Sequence, residues 1–353
     1  MKVGIVQYNM NDKTLHFIQN MPKAELHVHL EGCISPEALF QLAQDNQIVL
    51  GASSPETLKQ IFNYRNFDDF RKVLLLCIQV LKKPEDFYNL AHLMGSNFKN
   101  QNIKYAEVYW TPQFYRRLGY SYDELFDALT TASTEIGEQL GIIINWIPDL
   151  VRSRPDHANE VMLWATRESS REGGVVALGL AGPEQDFPLE PFVNVFAEAG
   201  KRGLPANPHC GEGTSSKMIR EVIETLRPKR IGHGVSSYAD EGLMNSIRGR
   251  GITLEICLSS NIKLGLFSGY TTHPLSRLID AGCQVTLNTD DPALFSTTLT
   301  REYALAVKYC GITLPQLEKL ALNAIRAAYL PDDLKRQFLH DFQTDFDSLR
   351  STC

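Results

Sequence analysis

Apolar positions along the chain fall into two rhythms. The stretch Glu25-Leu26-His27-Val28-His29-Leu30-Glu31-Gly32 alternates polar and apolar residues, the period-two signature of a strand. Behind it the period lengthens. Ser35-Pro36-Glu37 has the form of a helix start, with Ser35 as N-cap and Pro36 at the first helical position. From about 35 to 100, apolar residues recur at helical spacing (Leu39, Leu42, Ala43, then Phe70, Val73, Leu74, then Phe87, Leu90, Leu93), which predicts a helical cap inserted after the first strand. Short apolar runs then repeat, each followed by a polar or glycine-bearing loop and a helical segment: Tyr105–Trp110, Ile142–Leu150, Val175–Ala181, Leu204–Cys210, Arg230–Val235, Ile252–Leu258 and Gln284–Asp290. With the first strand they make eight. Strand–helix alternation implies an α/β fold of parallel units, and eight units predict a closed (β/α)8 TIM barrel. A doubly wound open sheet is the rival, but no GxGxxG or GxxxxGK[ST] supports its nucleotide-binding versions. Leu299 to about Arg350 predicts extra C-terminal helices covering one end. No composition shift marks a boundary, so 1–353 is expected to be a single barrel domain.

Composition changes this picture little. Hydrophobic residues at 43% and charged residues at 22% suit a globular protein with a real core. A net charge of −6 with no basic block argues against nucleic acid or an anionic membrane as the main partner. The seven cysteines (Cys33, Cys77, Cys210, Cys257, Cys283, Cys310, Cys353) contain no CxxC pair, which argues against a disulfide framework or a cysteine zinc site and fits a reducing cytoplasm. Met1 to Met21 lacks the apolar core of a secretory signal, and the longest apolar run, Val73–Ile78, is too short to span a bilayer. A soluble cytoplasmic protein is expected, with homo-oligomer formation left open.

The candidate chemistry begins with His27 and His29. Alternation sends both out of one strand face, where neutral imidazoles serve as zinc ligands. Two solvent-facing histidines on an edge strand would show the same pattern. The remaining chain adds context, because barrel active sites lie at the carboxyl ends of strands. There the sequence places Pro208-His209-Cys210-Gly211-Glu212-Gly213, Gly232-His233-Gly234 and Asn288-Thr289-Asp290-Asp291-Pro292. Each fragment has a structural reading too: Asp290-Asp291-Pro292 as a turn, Gly182-Pro183 as a loop. The ordered set is what carries the functional reading.

That set resembles the adenosine deaminase family of the amidohydrolase superfamily. The resemblance lies in Pro22-Lys23-Ala24-Glu25-Leu26-His27-Val28-His29-Leu30-Glu31-Gly32, His209-Cys210-Gly211-Glu212, Arg230-Ile231-Gly232-His233-Gly234 and Leu287-Asn288-Thr289-Asp290-Asp291-Pro292, with Leu180-Ala181-Gly182 and Ser296-Thr297-Thr298-Leu299 as lesser matches. It implies a metal-dependent deaminase barrel with one zinc ion per chain, held by His27, His29, His209 and Asp290. Three imidazoles and one carboxylate leave room for a water, as a catalytic site requires. Glu212, His233 and Asp290 would be catalytic: Glu212 donating to the purine N1, His233 and Asp290 orienting and deprotonating the water. Asp291 and the Gly182 N–H would hold the purine at N7 and N3, with His29 and Glu31 beside the sugar. The small-molecule partner implied is a purine nucleoside or derivative.

Departures from the family pattern bear on the substrate. Many nucleoside-deaminating relatives carry Asp where this chain has Glu31, while Glu is common in relatives acting on adenine or a larger adenosine derivative. Gly182-Pro183-Glu184 replaces a Gly-Asp-Glu and keeps 6-aminodeoxyfutalosine, an intermediate of menaquinone synthesis, in contention. Ser296-Thr297-Thr298-Leu299 looks like nucleoside-type relatives. The leading expectation is hydrolytic removal of the 6-amino group of adenosine or 2′-deoxyadenosine, with inosine and ammonia as products. Aminodeoxyfutalosine and adenine are the alternatives, and a catalytically inactive nucleoside-binding relative stands further off. Cys210 beside His209 reads as a nucleophile only weakly, since a histidine spent on zinc is no base. His16, His92, His157, His273 and His340 lack supporting context and read as surface or helix positions; His273, nearest a strand end, is the one of them that could line the substrate mouth.

Overall fold

The computed structural model describes residues 11–64 and 66–352; Cys353 and the first ten residues of the leader reading lie outside them. Eight parallel strands stand in sequence order: β1 (Lys23–His29), β2 (Ile103–Trp110), β3 (Ile143–Val151), β4 (Leu178–Ala181), β5 (Ala206–Cys210), β6 (Arg230–His233), β7 (Thr253–Ile256) and β8 (Gln284–Leu287). Helices surround them, and the fold is the expected (β/α)8 barrel. Several strands are shorter than the apolar runs. β6 stops at His233 and β8 at Leu287, because His233 and Asp290 turn out of the strand direction at φ of 61° and 65°. Left-handed backbone is uncommon outside glycine, though Asp and His adopt it more readily than most.

Closure between β8 and β1 is unlike the other seven pairings. Val28 and Asp290 form a single parallel bridge, with His29 N–H donating to Asp290 O (2.8 Å) and Asp290 N–H to His27 O (2.9 Å). Below it, side chains replace the ladder: Leu26 N–H donates to Asn288 Oδ1 (3.0 Å) and Thr289 N–H to Glu25 Oε1 (2.8 Å).

The 35–100 stretch forms four helices, Pro36–Asp45, Pro55–Ile61, Phe67–Val80 and Pro84–Asn100. Ser35 caps the first as expected, its side chain accepting from Ala38 N–H. The last of the four packs on β2 and on the helix Tyr122–Leu140. At the other end of the chain, helix Leu314–Ala327 packs on β8 and β1. The final helix, Asp332–Thr352, meets Phe17 through Phe346 (ring centroids 6.2 Å) and Tyr105 through Phe338 (6.4 Å). Phe17 belongs to a short helix, Asp12–Asn20, that the sequence reading did not anticipate. Among the described residues no helix is long and apolar enough to cross a membrane.

Lys23 opens β1 with no exposed surface. Its Nζ donates to Met21 O (2.8 Å) and Gln101 O (3.0 Å), and burial lowers its pKa to about 7. Between pH 7 and the unfolded value near 10.5 the unfolded chain therefore binds a proton that the folded chain does not, so stability rises with pH across this window. Urea unfolding of wild type and Lys23→Met over pH 7–10 is expected to show wild type gaining on the variant by up to about 1 kcal/mol per pH unit. Parallel curves would show that the ammonium is not desolvated.

Candidate active site

The predicted residues converge at the carboxyl ends of the strands. His29 Nε2 lies 3.0 Å from His209 Nε2 and 3.4 Å from Asp290 Oδ1; His27 Nε2 lies 3.6 Å from the same oxygen. Ligands about 2.0–2.1 Å from a tetrahedral zinc stand about 3.3 Å apart. The four donors are already near that spacing.

Hydrogen bonding sets the tautomers. His27 Nδ1–H donates to Glu255 Oε2 (2.8 Å) and His209 Nδ1–H to Leu180 O (3.1 Å), so both turn Nε2 inward. His27 Nε2 is buried and has no hydrogen-bond partner. Burial lowers His29 to about 3 and His209 well below its usual value, keeping both neutral as metal ligation requires. At His27 burial also opposes charge, yet Asp290 and Glu255 on its two edges outweigh it and raise the ring to about 10. The space between those carboxylates demands positive charge, and a divalent cation meets that demand more fully than a proton. The donor set fits a zinc ion held by His27, His29, His209 and Asp290.

Asp290 faces two ways. Its Oδ1 looks at His27 and His29, while Oδ2 accepts from Ser260 Oγ–H (2.7 Å) and lies 3.9 Å from His233 Nε2. Burial alone would favour its acid form, but the His27 imidazole 3.6 Å from Oδ1, with His233 and His29 close by, holds it well below the carboxylate range. Glu212 Oε2 stands 3.5 Å from His233 Nε2, and Glu212 Oε1 3.2 Å from Ser260 Oγ. Burial pushes Glu212 well up, with the charges of Asp290 and Glu184 adding to it. Asp291 is raised in the same way, by burial and then by Asp290. In both, burial and neighbouring carboxylates favour the protonated form.

A cavity of about 280 Å³ opens onto this set, lined by His29, Glu31, Gly182, Glu212 and Asp291 among others. Gly182 takes φ of 109°, a conformation glycine adopts without strain. Gly32 is also required: a Cβ there would meet Asp291 Oδ1 at 2.0 Å. Glu31 borders the cavity, but its Oε1 is tied to Thr111 N–H (3.1 Å) and Tyr115 O–H (2.9 Å), which draws it toward the end of β2. The helix Phe67–Val80 supplies one wall through Phe70, Leu74 and Ile78.

One reading changes. His273 is buried, its Nε2 3.1 Å from Asn261 Oδ1 and its Nδ1 accepting from Leu275 N–H; it is structural and absent from the cavity wall. Ser296-Thr297-Thr298-Leu299 contributes no wall either. Thr297 O–H donates to the buried Glu302. Cys210 is buried and its thiol pushed well up by burial, the reverse of what a nucleophile needs.

Sequence reasoning missed Glu255, Ser260, Asp149 and Glu184. Glu184 accepts from Gly211 N–H (2.8 Å) and Glu212 N–H (3.2 Å) and so fixes the loop that carries Glu212. For Glu255 and Asp149 a signal existed: each is a carboxylate inside an otherwise apolar strand run.

Eight parallel strands with imidazoles and buried carboxylic side chains gathered at one mouth define a barrel hydrolase of the amidohydrolase kind. The chain belongs to the adenosine deaminase family, whose model matches residues 22–344. It is 34% identical over 320 residues to an aminodeoxyfutalosine deaminase of Streptomyces avermitilis, covering 90% of this chain and 89% of that protein. With an adenine deaminase of Vibrio parahaemolyticus it shares 32% over 326 residues, 92% and 96% of the two chains. The crystal structure of an adenine deaminase from Arthrobacter aurescens superposes with a TM-score of 0.86 at 26% identity, covering 92% and 98%. The protein is a hydrolytic aminohydrolase acting on carbon–nitrogen bonds.

Mass-spectrometric metal analysis is expected to find about one zinc per chain, removable by chelator with loss of activity. Asp290→Ala should lower metal content and turnover together. Active protein free of bound transition metal would contradict the assignment.

Proposed function

We propose that the chain removes the 6-amino group of a purine nucleoside as ammonia, with adenosine, 2′-deoxyadenosine or a 5′-extended derivative as substrate. The cavity carries this reading. Its wall includes Glu212, Asp291 and Gly182, which this reading gives to the purine, and also Phe70, Leu74, Ile78 and Phe114, an apolar wall that this reading gives to the sugar and what it bears. Free adenine, the substrate named for the Vibrio relative, leaves that wall untouched. A catalytically inactive relative is opposed by the complete residue set. We further propose that 1–353 acts as one unit, its cap walling the site.

Zinc is the ion this reading takes, supplying Lewis acidity and an activated water at neutral pH. The chain's own groups do the rest. Asp291, kept neutral by burial, donates to N7, and the Gly182 N–H donates to N3, which presents C6 to the donor set. Glu212 gives its proton to N1 as water adds at C6, so negative charge does not build on the ring. His233 Nε2, facing both Glu212 and Asp290 Oδ2, takes the proton of the attacking water. That proton passes to the amino group, which leaves as ammonia when the tetrahedral carbon collapses to the C6 carbonyl, and the proton shed by the C6 hydroxyl returns to the Glu212 carboxylate. The same cavity carries Arg71 and Arg154, with Arg154 6.0 Å from the Phe114 ring centroid. Aromatic wall and guanidinium together accept a substituent with an apolar body and an anionic tip. This favours a larger derivative such as aminodeoxyfutalosine, the substrate named for the Streptomyces relative, as the second reading.

Glu212→Gln is expected to retain its metal and lose at least ~10²-fold in turnover, the usual worth of general acid catalysis; near-normal turnover would move the proton to another group. Parallel measurement of kcat/KM for adenosine, deoxyadenosine, adenine and aminodeoxyfutalosine tests the substrate. Any of the three nucleosides should exceed adenine, and adenine winning would sink the nucleoside reading.

A further inference from the structure

Each imidazole around Asp290 needs its outer nitrogen held if the inner one is to keep its lone pair aimed inward. His27 has Glu255 and His209 has the Leu180 carbonyl, both at hydrogen-bond distance. His29 has neither. The acceptor facing its Nδ1 is Asp149 Oδ2, 3.6 Å away. Asp149 sits on β3 with no exposed surface, and neither of its carboxylate oxygens has a hydrogen-bond partner. A buried, partnerless carboxylate opposes folding, so its presence calls for a task outside the fold.

We propose that Asp149 is the positioning residue of the third metal ligand, taking the Nδ1–H of His29 and thereby fixing that ring's tautomer and aim. The inference rests on the metal reading of the site. β4 is shaped to admit the carboxylate. Asp149 pairs in register with Gly179, and a Cβ at Gly179 would lie 2.1 Å from Asp149 Oδ1. Any side chain there would unseat Asp149. His209 Nδ1, 3.9 Å from Asp149 Oδ1, is already engaged by Leu180 O and does not compete. The gap to His29 is a short side-chain adjustment wide.

The test is zinc affinity, by chelator competition on metal-free protein, for wild type, Asp149→Ala, Asp149→Asn and Gly179→Ala, with melting of each metal-free form. Zinc should bind about 10–100-fold more weakly to Asp149→Ala and Gly179→Ala, with Asp149→Asn, whose amide oxygen still accepts, falling between. Metal-free Asp149→Ala and Asp149→Asn should melt at or above wild type, since a partnerless carboxylate has gone. Zinc dissociation constants within twofold of wild type in both Asp149→Ala and Gly179→Ala overturn the proposal. A loss confined to KM at unchanged zinc affinity also overturns it, and makes Asp149 a substrate contact. Lower metal-free melting at unchanged affinity overturns it in favour of a structural role. Failure of wild type itself to bind zinc is a different result, and brings down the metal reading beneath the proposal.

Discussion

The barrel closes on its own candidate metal ligands. Between β8 and β1 the backbone is joined by two hydrogen bonds, His29 N–H to Asp290 O and Asp290 N–H to His27 O, and the residues making them carry three of the four donors. Closure and donor geometry are therefore one constraint. A slip of one residue between these strands would turn the side chains to the opposite face and dismantle the donor set. The left-handed backbone at Asp290 belongs to the same constraint: it lets the side chain turn inward while the peptide still bridges β1. Such conformations cost of order 1–3 kcal/mol and persist where surrounding structure over-determines them.

Beneath the donor set the barrel interior is filled by charge. Glu107 on β2 pairs with Arg230 on β6; Arg230 Nε lies 2.7 Å from Glu255 Oε1 on β7; Glu255 Oε2 receives the Nδ1–H of His27 on β1. All four side chains are buried. Arg230 also lies 4.2 Å over the Tyr329 ring and donates to Ala327 O (3.0 Å). Burial opposes the charge on Glu255, but Arg230 and His27 hold it below the ordinary carboxylate range. Removing one member of such a column typically costs 3–5 kcal/mol, since the remainder stays buried and uncompensated. Its return is a His27 ring held from behind in one orientation.

Local pattern carried most of the fold. Eight apolar runs separated by helical stretches can pair in parallel only through crossovers, so the barrel was legible before any contact was known. His27, His29, His209, Glu212, His233, Asp290 and Asp291 were legible because polar side chains at strand ends recur in one order. What stayed hidden depends on contacts between strands far apart in sequence. Nothing in the run around Asp149 says that Gly179 on the next strand makes room for it, and nothing near Glu255 says that His27 is its partner. Ser260 sits in a helix, Leu258–Lys263, that the strand-end rule does not reach. His273 shows the converse: a histidine near a strand end that is satisfied by Asn261 and has no chemistry to do. Glu31 lies at the cavity wall, yet its tether to Tyr115 crosses 84 residues and no local pattern announces it.

The account stands on the position of one ion. A crystal of zinc-loaded protein, measured on both sides of the zinc absorption edge, locates it directly. The account predicts a single anomalous peak within about 2.0–2.2 Å of Nε2 of His27, His29 and His209 and Oδ1 of Asp290. A second grouping exists on the far side of the same carboxylate, His233, Cys257 and Asp290. A peak there, or none in protein that turns over substrate, would contradict the account.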